Sequence, residues 1–420
     1  MTELPFKRIS VVGLGYIGLP TAAMFASRKV EVVGVDVNRD TVDTINRGDV
    51  HIVEPDLDIV VRAVVSDGYL RATTVPEPAE AFLIAVPTPL QGDNNEPDLS
   101  FIKAAAHAIA PLLEPGNLVI LESTSPVGST ETMADWLAGA RPDLSFPQHA
   151  GDSSDIFVAH CPERVLPGKV MHELITNDRL IGGMTEACSN RAVKLYKTFV
   201  TGDCVIATGP RVAEMAKLTE NSFRDVNIAF ANELSLICDR LNIDPWELIA
   251  LANRHPRVNI LQPGPGVGGH CIAVDPWFIV ASDTENSRLI RTAREVNDGK
   301  PDWILRKIRE MVNSFLQANP DRTEEDMTLA CYGLAFKPDI DDLRESPAIA
   351  IQKRLQSEFA GKLVAVEPNI SHLPAELDRV ELVTLAKALI QSDVHAVLVG
   401  HKLFREAGLP VEFVVKATAV

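Results

Sequence analysis

Residues 9–36 restrict the possible folds more than any other stretch of the chain. An apolar run at 9–13 (ISVVG) reads as a strand and leads into Gly13-Leu14-Gly15-Tyr16-Ile17-Gly18. A helix follows over 20–27, with Pro20 tolerable in its first turn. A second strand, 31–35 (EVVGV), ends in Asp36. G-x-G-x-x-G alone is a weak signal. Between a strand and a helix, with an acid about 20 residues on at the end of the next strand, it becomes a dinucleotide fingerprint. The first two glycines make the turn and admit a pyrophosphate to the helix N-terminus. Asp36 would bind a ribose 2′-hydroxyl, which favours NAD over NADP. Tyr16 and Ile17 inside the loop, and Arg39 just beyond Asp36, complete this candidate cofactor set.

The chain has 420 residues, which suggests two or three domains, and 46% of them are apolar. A net charge of −17 argues against nucleic acid or an anionic membrane as partner. An anionic small molecule would need locally placed Lys and Arg. The six cysteines show no C-x-x-C spacing, so no structural zinc site is expected. Scattered thiols fit a reducing cytoplasm. Residues 1–8 lack a signal-peptide core, and no run of about 18 apolar residues predicts a membrane span.

Further strands are expected at 81–86, ending in Pro87-Thr88-Pro89, and at 118–122, ending in Ser123-Thr124-Ser125-Pro126. Open α/β sheets bind ligands at such strand ends, so Thr88 and Thr124 are candidate cofactor contacts. Capping of the next helix is the alternative role. A strand at 156–160 runs into Cys161-Pro162-Glu163-Arg164-Val165.

Residues 211–240 read as one long helix. Glu214, Lys217, Asn221 and Arg224 recur at intervals of three and four, hence on one face. After Val226 the pattern is nearly all apolar or small. That predicts burial between domains or subunits, with the polar head lining a cleft. Asn253-Arg254-His255-Pro256-Arg257 then precedes Gly264-Pro265-Gly266-Val267-Gly268-Gly269-His270-Cys271-Ile272-Ala273-Val274-Asp275-Pro276. Glycines let backbone pass close to a ligand, and their N–H groups can form an anion cradle. Cys271 at its rim is a candidate nucleophile. A tight turn with a buried thiol is the plainer reading. Another helix is expected over 288–297 and a polar linker over 318–326. A second α/β layer domain follows, with strands at 328–333, 362–367 and 395–400.

GLGYIGLP, ESTSPVGST, CPERVLPG, KLTENSFRDVNIAFANELS, GVGGHCIAVDP and FKPDIDDLRESP occur in one order. Together they resemble the UDP-glucose/GDP-mannose dehydrogenase family over essentially the whole chain. GGHCIAVD, where other members read G-G-S-C or G-G-x-C followed by F/L-P-K-D, resembles the branch oxidising UDP-N-acetylhexosamines. The resemblance implies an α/β architecture: an N-terminal Rossmann NAD-binding domain (1–208), a central long-helix dimerisation domain with the cysteine loop (209–318), and a C-terminal Rossmann-like UDP-sugar-binding domain (319–420). It also implies a four-electron oxidation by NAD through a Cys271 thiohemiacetal and thioester. Lys217 and Asn221 would serve the oxyanion. Asp275, ahead of Glu163, would activate water, whereas His270 would point away from Cys271. Arg164, Arg224, Arg257 and Lys337 would hold diphosphate and sugar, joined by Val165, His255, Gly268 and Phe336. Arg344 would touch the cofactor. Arg257 would reach a neighbouring subunit, which implies a homodimer packed on the long helix; the expected location stays the cytoplasm, with no metal. One departure is that Phe413-Val414-Val415-Lys416-Ala417-Thr418 replaces the family's usual D-x-R/K-G ending. A two-electron hydroxyacid dehydrogenase, which also carries K-x-x-x-N on a long helix, would leave Cys271 and the second α/β domain unused. A non-catalytic NAD-binding protein would not need Cys271, Lys217 and Asn221 together.

Overall fold

Strand order carries the first half of the fold. The computed structural model describes residues 5–92, 94–166, 168–269, 271–408 and 412–418. Its chain divides into two compact units, Met1–Thr219 with Trp277–Asp283, and Glu220–Pro276 with Thr284–Val420. In the first, the strands of the large sheet are β1 (Arg8–Val12), β2 (Glu31–Val35), β3 (Leu70–Thr73), β4 (Ala81–Ile84), β5 (Leu118–Leu121), β6 (Phe157–His160), β7 (Arg179–Gly183) and β8 (Cys204–Ile206). They lie in the order β8-β7-β6-β5-β4-β1-β2-β3. From β3 to β6 every pairing is parallel, the 3-2-1-4-5-6 order of a doubly wound sheet. The order reverses between β1 and β4, and that switch point is where such sheets hold ligands.

The apolar runs are continuous because both faces of a parallel sheet are covered. Val11, Val32, Leu83 and Ile120 enter one core. Their neighbours Val12, Val33, Phe82 and Val119 enter the other. β7 is a feature the motif reading did not anticipate. It runs antiparallel to β6, with Ala159 opposite Gly183.

The second unit holds β9 (Thr328–Tyr332), β10 (Lys362–Val366), β11 (Val380–Leu382), β12 (Val394–Val397) and β13 (Val414–Lys416). All pair in parallel, in the order β11-β10-β9-β12-β13. Their relative order is again 3-2-1-4-5.

Of two long helices, Pro210–Leu241 and Arg288–Ala318, the second differs from expectation in its length. The second does not stop near residue 297 but continues through Pro301 to Ala318. A proline inside a helix costs about 3 kcal/mol. Beyond it Ile304, Ile308, Val312 and Phe315 are buried in the core of the second unit, and each such burial contributes about 1.5–3 kcal/mol, so continuation wins. Nor is the Pro210–Leu241 helix wrapped by its own chain after Val226. Phe230, Ile237 and Leu241 are 53%, 45% and 62% exposed.

A buried polar ladder ties these helices together. Arg294 pairs with Asp225 at 2.7 Å, and the Asn297 amide donates to the same carboxylate at 2.8 Å. One step on, the Asn232 amide donates to Asn297 Oδ1 at 2.8 Å. Lys300 Nζ then donates to Ser235 Oγ, and Lys307 pairs with Asp239 at 2.8 Å. Among the described residues, no helix is long and apolar enough to cross a membrane.

Candidate active site

The glycine loop is shaped by positions that only glycine fills without strain. Gly266 and Gly269 have φ of +138° and +80°, the region that other residues rarely adopt. A Cβ on Gly268 would lie 2.5 Å from the Glu345 carbonyl oxygen and 2.8 Å from Phe336 Cβ. The N–H of Gly269 donates to the Arg344 carbonyl at 3.2 Å. The loop therefore rests on the 336–347 segment of its own unit. From behind, Asn232 Oδ1 accepts the N–H of Gly264 at 2.9 Å, which ties the loop to the polar ladder.

Cys271 emerges from this loop exposed, whereas Cys161, Cys188, Cys238 and Cys331 are buried. Burial pushes the Cys331 thiol up to about 12, so it stays protonated and inert. The plainer alternative, a buried thiol in a tight turn, does not hold at Cys271. His270, next to it, lies outside the described residues, as does Pro167 of the CPERVLPG segment. The Cys271 carbonyl accepts the N–H of Asp275 at 2.9 Å, turning the chain into the Asp275–Ser282 helix. The Asp275 side chain is buried and accepts from the Asn221 amide at 2.5 Å. One turn earlier on the same helix, Lys217 is buried as well. Nearby in the second unit, Phe336 and Lys337 are half-buried. The Arg344 guanidinium donates to Asp342 at 2.9, 3.1 and 2.6 Å.

The structure thus brings together the Cys271 loop, the Asn221–Asp275 pair and the 336–344 segment. Arg224, His255 and Arg257 stand exposed on the same unit, with His255 Nδ1 accepting the Arg257 N–H at 3.3 Å. Glu163, Arg164 and Val165 belong to the first unit. There Glu163 is buried in an ion pair with Arg179, and its other oxygen accepts the Arg164 N–H at 2.7 Å. Behind it Tyr196 donates to Glu122 at 2.5 Å, and burial pushes the Glu122 carboxyl up to about 7.

At the switch point of the first sheet, Gly13 has a φ of +91° and its Cβ would meet the Ala85 carbonyl oxygen at 2.5 Å. A Cβ on Gly18 would meet the Gly13 carbonyl oxygen at 1.8 Å. Asp36 accepts the N–H groups of Leu14 and Asn38 at 3.0 and 2.9 Å. Gly15 is exposed, Tyr16 and Ile17 are half-buried, and Arg39 is exposed as the first residue of the Arg39–Asn46 helix. Neither threonine caps a helix. The helix after Thr88 is Ser100–Ile109, preceded by Leu99. The one after Thr124, Ser129–Ala140, is capped from a distance. Glu214 accepts the N–H groups of Gly128 and Thr130 at 2.6 and 2.8 Å and the Thr130 hydroxyl at 2.6 Å. Glu214 is thus a cap for another helix and not a cleft-lining group. Thr88 Oγ1 is buried with no hydrogen-bond partner, a polar atom left for a ligand. Open glycines, a carboxylate at the second strand end and this orphaned hydroxyl fit NAD.

Three family models match in order: the NAD binding domain of the UDP-glucose/GDP-mannose dehydrogenase family over residues 7–200, its central domain over 211–299 and its UDP binding domain over 330–417. The chain belongs to the UDP-glucose/GDP-mannose dehydrogenase family. Its resemblance in sequence is therefore real, and the chain is an NAD-dependent nucleotide-sugar dehydrogenase. It is 64% identical over 405 residues to a UDP-N-acetyl-D-mannosamine dehydrogenase of Yersinia pestis, covering 96% of this chain and 95% of that one. It is 61% identical over 404 residues to an NDP-N-acetyl-D-galactosaminuronic acid dehydrogenase of Ralstonia nicotianae, covering 96% and 93%. A solved UDP-D-ManNAc dehydrogenase from Pyrococcus horikoshii superposes with a TM-score of 0.85 at 35% identity, covering 98% and 99%. Among the described residues no cluster of His, Cys, Asp and Glu could hold a metal ion.

Motif reading passed over Glu367 and His401, which hydrogen-bond each other at 2.9 Å in the crevice of the second sheet. A signal existed: KLVAVE ends a strand in an acid, as EVVGVD does.

Proposed function

We propose that this chain oxidises UDP-N-acetyl-D-mannosamine at C6 to UDP-N-acetyl-D-mannosaminuronate. The observation that carries this reading is the exposed Cys271 on a glycine cradle, one short turn from the Asn221–Asp275 pair. Bound NAD supplies the hydride acceptor, twice per sugar. Between the two oxidations the Cys271 sulfur adds to the C6 aldehyde, so that the intermediate stays tethered as a thiohemiacetal. The second oxidation leaves a thioester, and water cleaves it to the carboxylate and the thiol. Lys217 and Asn221, one helical turn apart, aim donors at the oxygen that becomes negative at each tetrahedral stage. Asp275 takes the proton of the attacking water. Glu163 ranks behind Asp275, which shares a loop with Cys271.

Lys337 and Phe336 receive the diphosphate and uridine end, with Arg164, Val165, Arg224, His255 and Gly268 completing the sugar side and Arg344 the cofactor side. The domains divide at 208/209 and 318/319. Two subunits pack on the exposed stripe of the Pro210–Leu241 helix, each lending Arg257 to its neighbour. The enzyme works in the cytoplasm and supplies a uronic-acid donor for surface polysaccharide of the enterobacterial common antigen type.

UDP-N-acetyl-D-glucosamine is the alternative substrate, and the name of the Ralstonia relative adds the galacto epimer. A panel of UDP-ManNAc, UDP-GlcNAc, UDP-GalNAc, UDP-glucose and GDP-mannose, scored by NADH released per sugar, tests the reading. Two NADH per UDP-ManNAc, with kcat/KM at least tenfold above the rest, is the expected result. A higher kcat/KM for another sugar would reassign the substrate.

A further inference from the structure

The two sheets repeat one local device and use it differently. Gly13 follows β1, has a φ of +91°, and donates its N–H to Val35 at 2.8 Å. Gly333 follows β9, has a φ of +86°, and donates its N–H to Val366 at 2.9 Å. The next strand residue is an acid in each case. Asp36 accepts the N–H of Leu14 at 3.0 Å, and Glu367 accepts those of Leu334 and Ala335 at 2.7 and 3.1 Å. Asp36 is half-buried and stands at the rim of the cofactor crevice. The Glu367 side chain has no exposure at all, nor has that of His401, whose Nε2 lies 2.9 Å from it. Glu367 has therefore been closed off from any ribose and given a different task.

The task is visible in the partners of His401. Its Nδ1 accepts the N–H of Asp339 at 2.8 Å, so the ring proton sits on Nε2 and is donated to Glu367. The N–H of Lys402 also donates to Asp339 Oδ1 at 2.9 Å. Asn369 donates its N–H and its amide to the second Glu367 oxygen at 3.2 and 3.1 Å. Hydrogen bonds therefore hold both ends of the loop: Leu334 and Ala335 by Glu367, Asp339 by His401. Between the anchors lie Phe336, Lys337 and Pro338. Lys337 is half-buried and makes no ion pair among the described residues. Asp339 is held at a φ of +61°, a backbone state that aspartate keeps only when its surroundings enforce it. Burial works to raise the Glu367 carboxyl, yet the hydrogen bonds from His401, Leu334 and Ala335 hold it below its usual range.

We propose that Glu367 and His401 are positioning residues that clamp both ends of the 334–339 loop and thereby place Lys337 against the diphosphate of the UDP-sugar. The proposal rests on the reading of Lys337 as a diphosphate ligand.

The probe is UDP itself, bound to the full-length enzyme and measured by calorimetry, with KM for UDP-ManNAc and for NAD and kcat per intact site alongside. Lys337→Ala should weaken UDP binding. His401→Ala should raise the UDP dissociation constant and the UDP-sugar KM by about five- to tenfold, the size of one lost hydrogen bond. The KM for NAD and kcat should stay within about twofold, which a general loss of folding would not produce. His401→Asn keeps an oxygen near the Nδ1 place and should recover most of the affinity. His401→Gln fills the same core and keeps the contact to Glu367 but loses the Asp339 anchor. It should behave like the alanine variant, and it carries the test if His401→Ala does not fold. Adding His401→Ala to Lys337→Ala should weaken UDP binding little further, because the clamp acts through Lys337. Fully additive losses, or unchanged UDP affinity in His401→Gln while Lys337→Ala weakens it, would overturn the clamp. Unchanged UDP affinity in Lys337→Ala would instead overturn the diphosphate reading.

Discussion

The Asn221 amide donates to the Asp275 carboxylate at 2.5 Å, across 54 residues of sequence and inside the protein. In the proposed reaction Asn221 is both an oxyanion donor and the holder of the carboxylate assigned to water. Asn221→Ala should remove both functions. We expect kcat for NADH formation to fall about 10²–10³-fold, as for loss of an oxyanion donor, with the NAD dissociation constant unchanged. A drop below tenfold would leave Asn221 as packing only.

Cys271→Ala removes the proposed nucleophile and leaves Lys217, Asn221 and the cofactor crevice in place. In a single turnover it should give at most one NADH per site, together with aldehyde that a hydrazine can trap. Overall turnover should fall by on the order of 10³-fold or more. Uronic acid formed at near the native rate would exclude the thioester route.

Asp36 should discriminate against the 2′-phosphate of NADP by charge. Asp36→Ala should narrow the ratio of kcat/KM for NAD over NADP at least tenfold, measured with saturating UDP-sugar. Comparable native rates with the two cofactors would refute the role.

Phe223, Phe230 and Ile237 are 68%, 53% and 45% exposed and fall seven residues apart, two turns each, on one helix face. An apolar stripe of this kind marks a contact surface. Phe230→Glu should convert a dimer to monomer in sedimentation at micromolar concentration. If Arg257 acts across that contact, mixing Arg257→Ala and Cys271→Ala subunits should restore part of the activity. An unaltered dimer in the glutamate variant would place the interface elsewhere.

Glu122 couples stability to pH. In the folded chain its carboxyl keeps its proton up to about 7. Unfolded, it loses the proton near 4.3. Between those values the folded state holds the extra proton, so raising the pH favours unfolding, by roughly 4 kcal/mol over the window. Glu122→Gln, which cannot ionise, should lose less melting temperature than the native protein between pH 5 and pH 7.5. Parallel melting curves would mean that Glu122 ionises in place at little cost.

Local features were legible in the sequence and distant ones were not. Strand, glycine turn, helix and acid at 9–36 lie within one supersecondary unit, so residue order alone displays them. The cysteine loop announces itself by its glycines. Glu214 does not: the N–H groups it caps lie 84 and 86 residues away, and its spacing with Lys217 and Asn221 suggested a shared role. Arg288–Ala318 was hidden by Gly299 and Pro301, which read as a stop unless one knows that a sheet waits for Ile304 and Ile308. β7 is RLIGG, too short and glycine-rich to show a period, and its reversed direction is set by pairing with β6. The Glu367–His401 pair joins two strand ends 34 residues apart that only the second sheet brings together.

The ladder between the two long helices acts as a vernier. Sliding one helix along the other by a single turn, about 5.4 Å, would unpair Asp225 from Arg294, Asn232 from Asn297 and Ser235 from Lys300 at once. Each buried charge left alone costs about 3–5 kcal/mol. Apolar ridges tolerate small slips; this set of pairs does not. The helices can mate at one graduation only, and Asn232 transmits that setting to Gly264. The reach of the Cys271 sulfur is thereby gauged by a scale whose two halves lie on either side of it in the sequence.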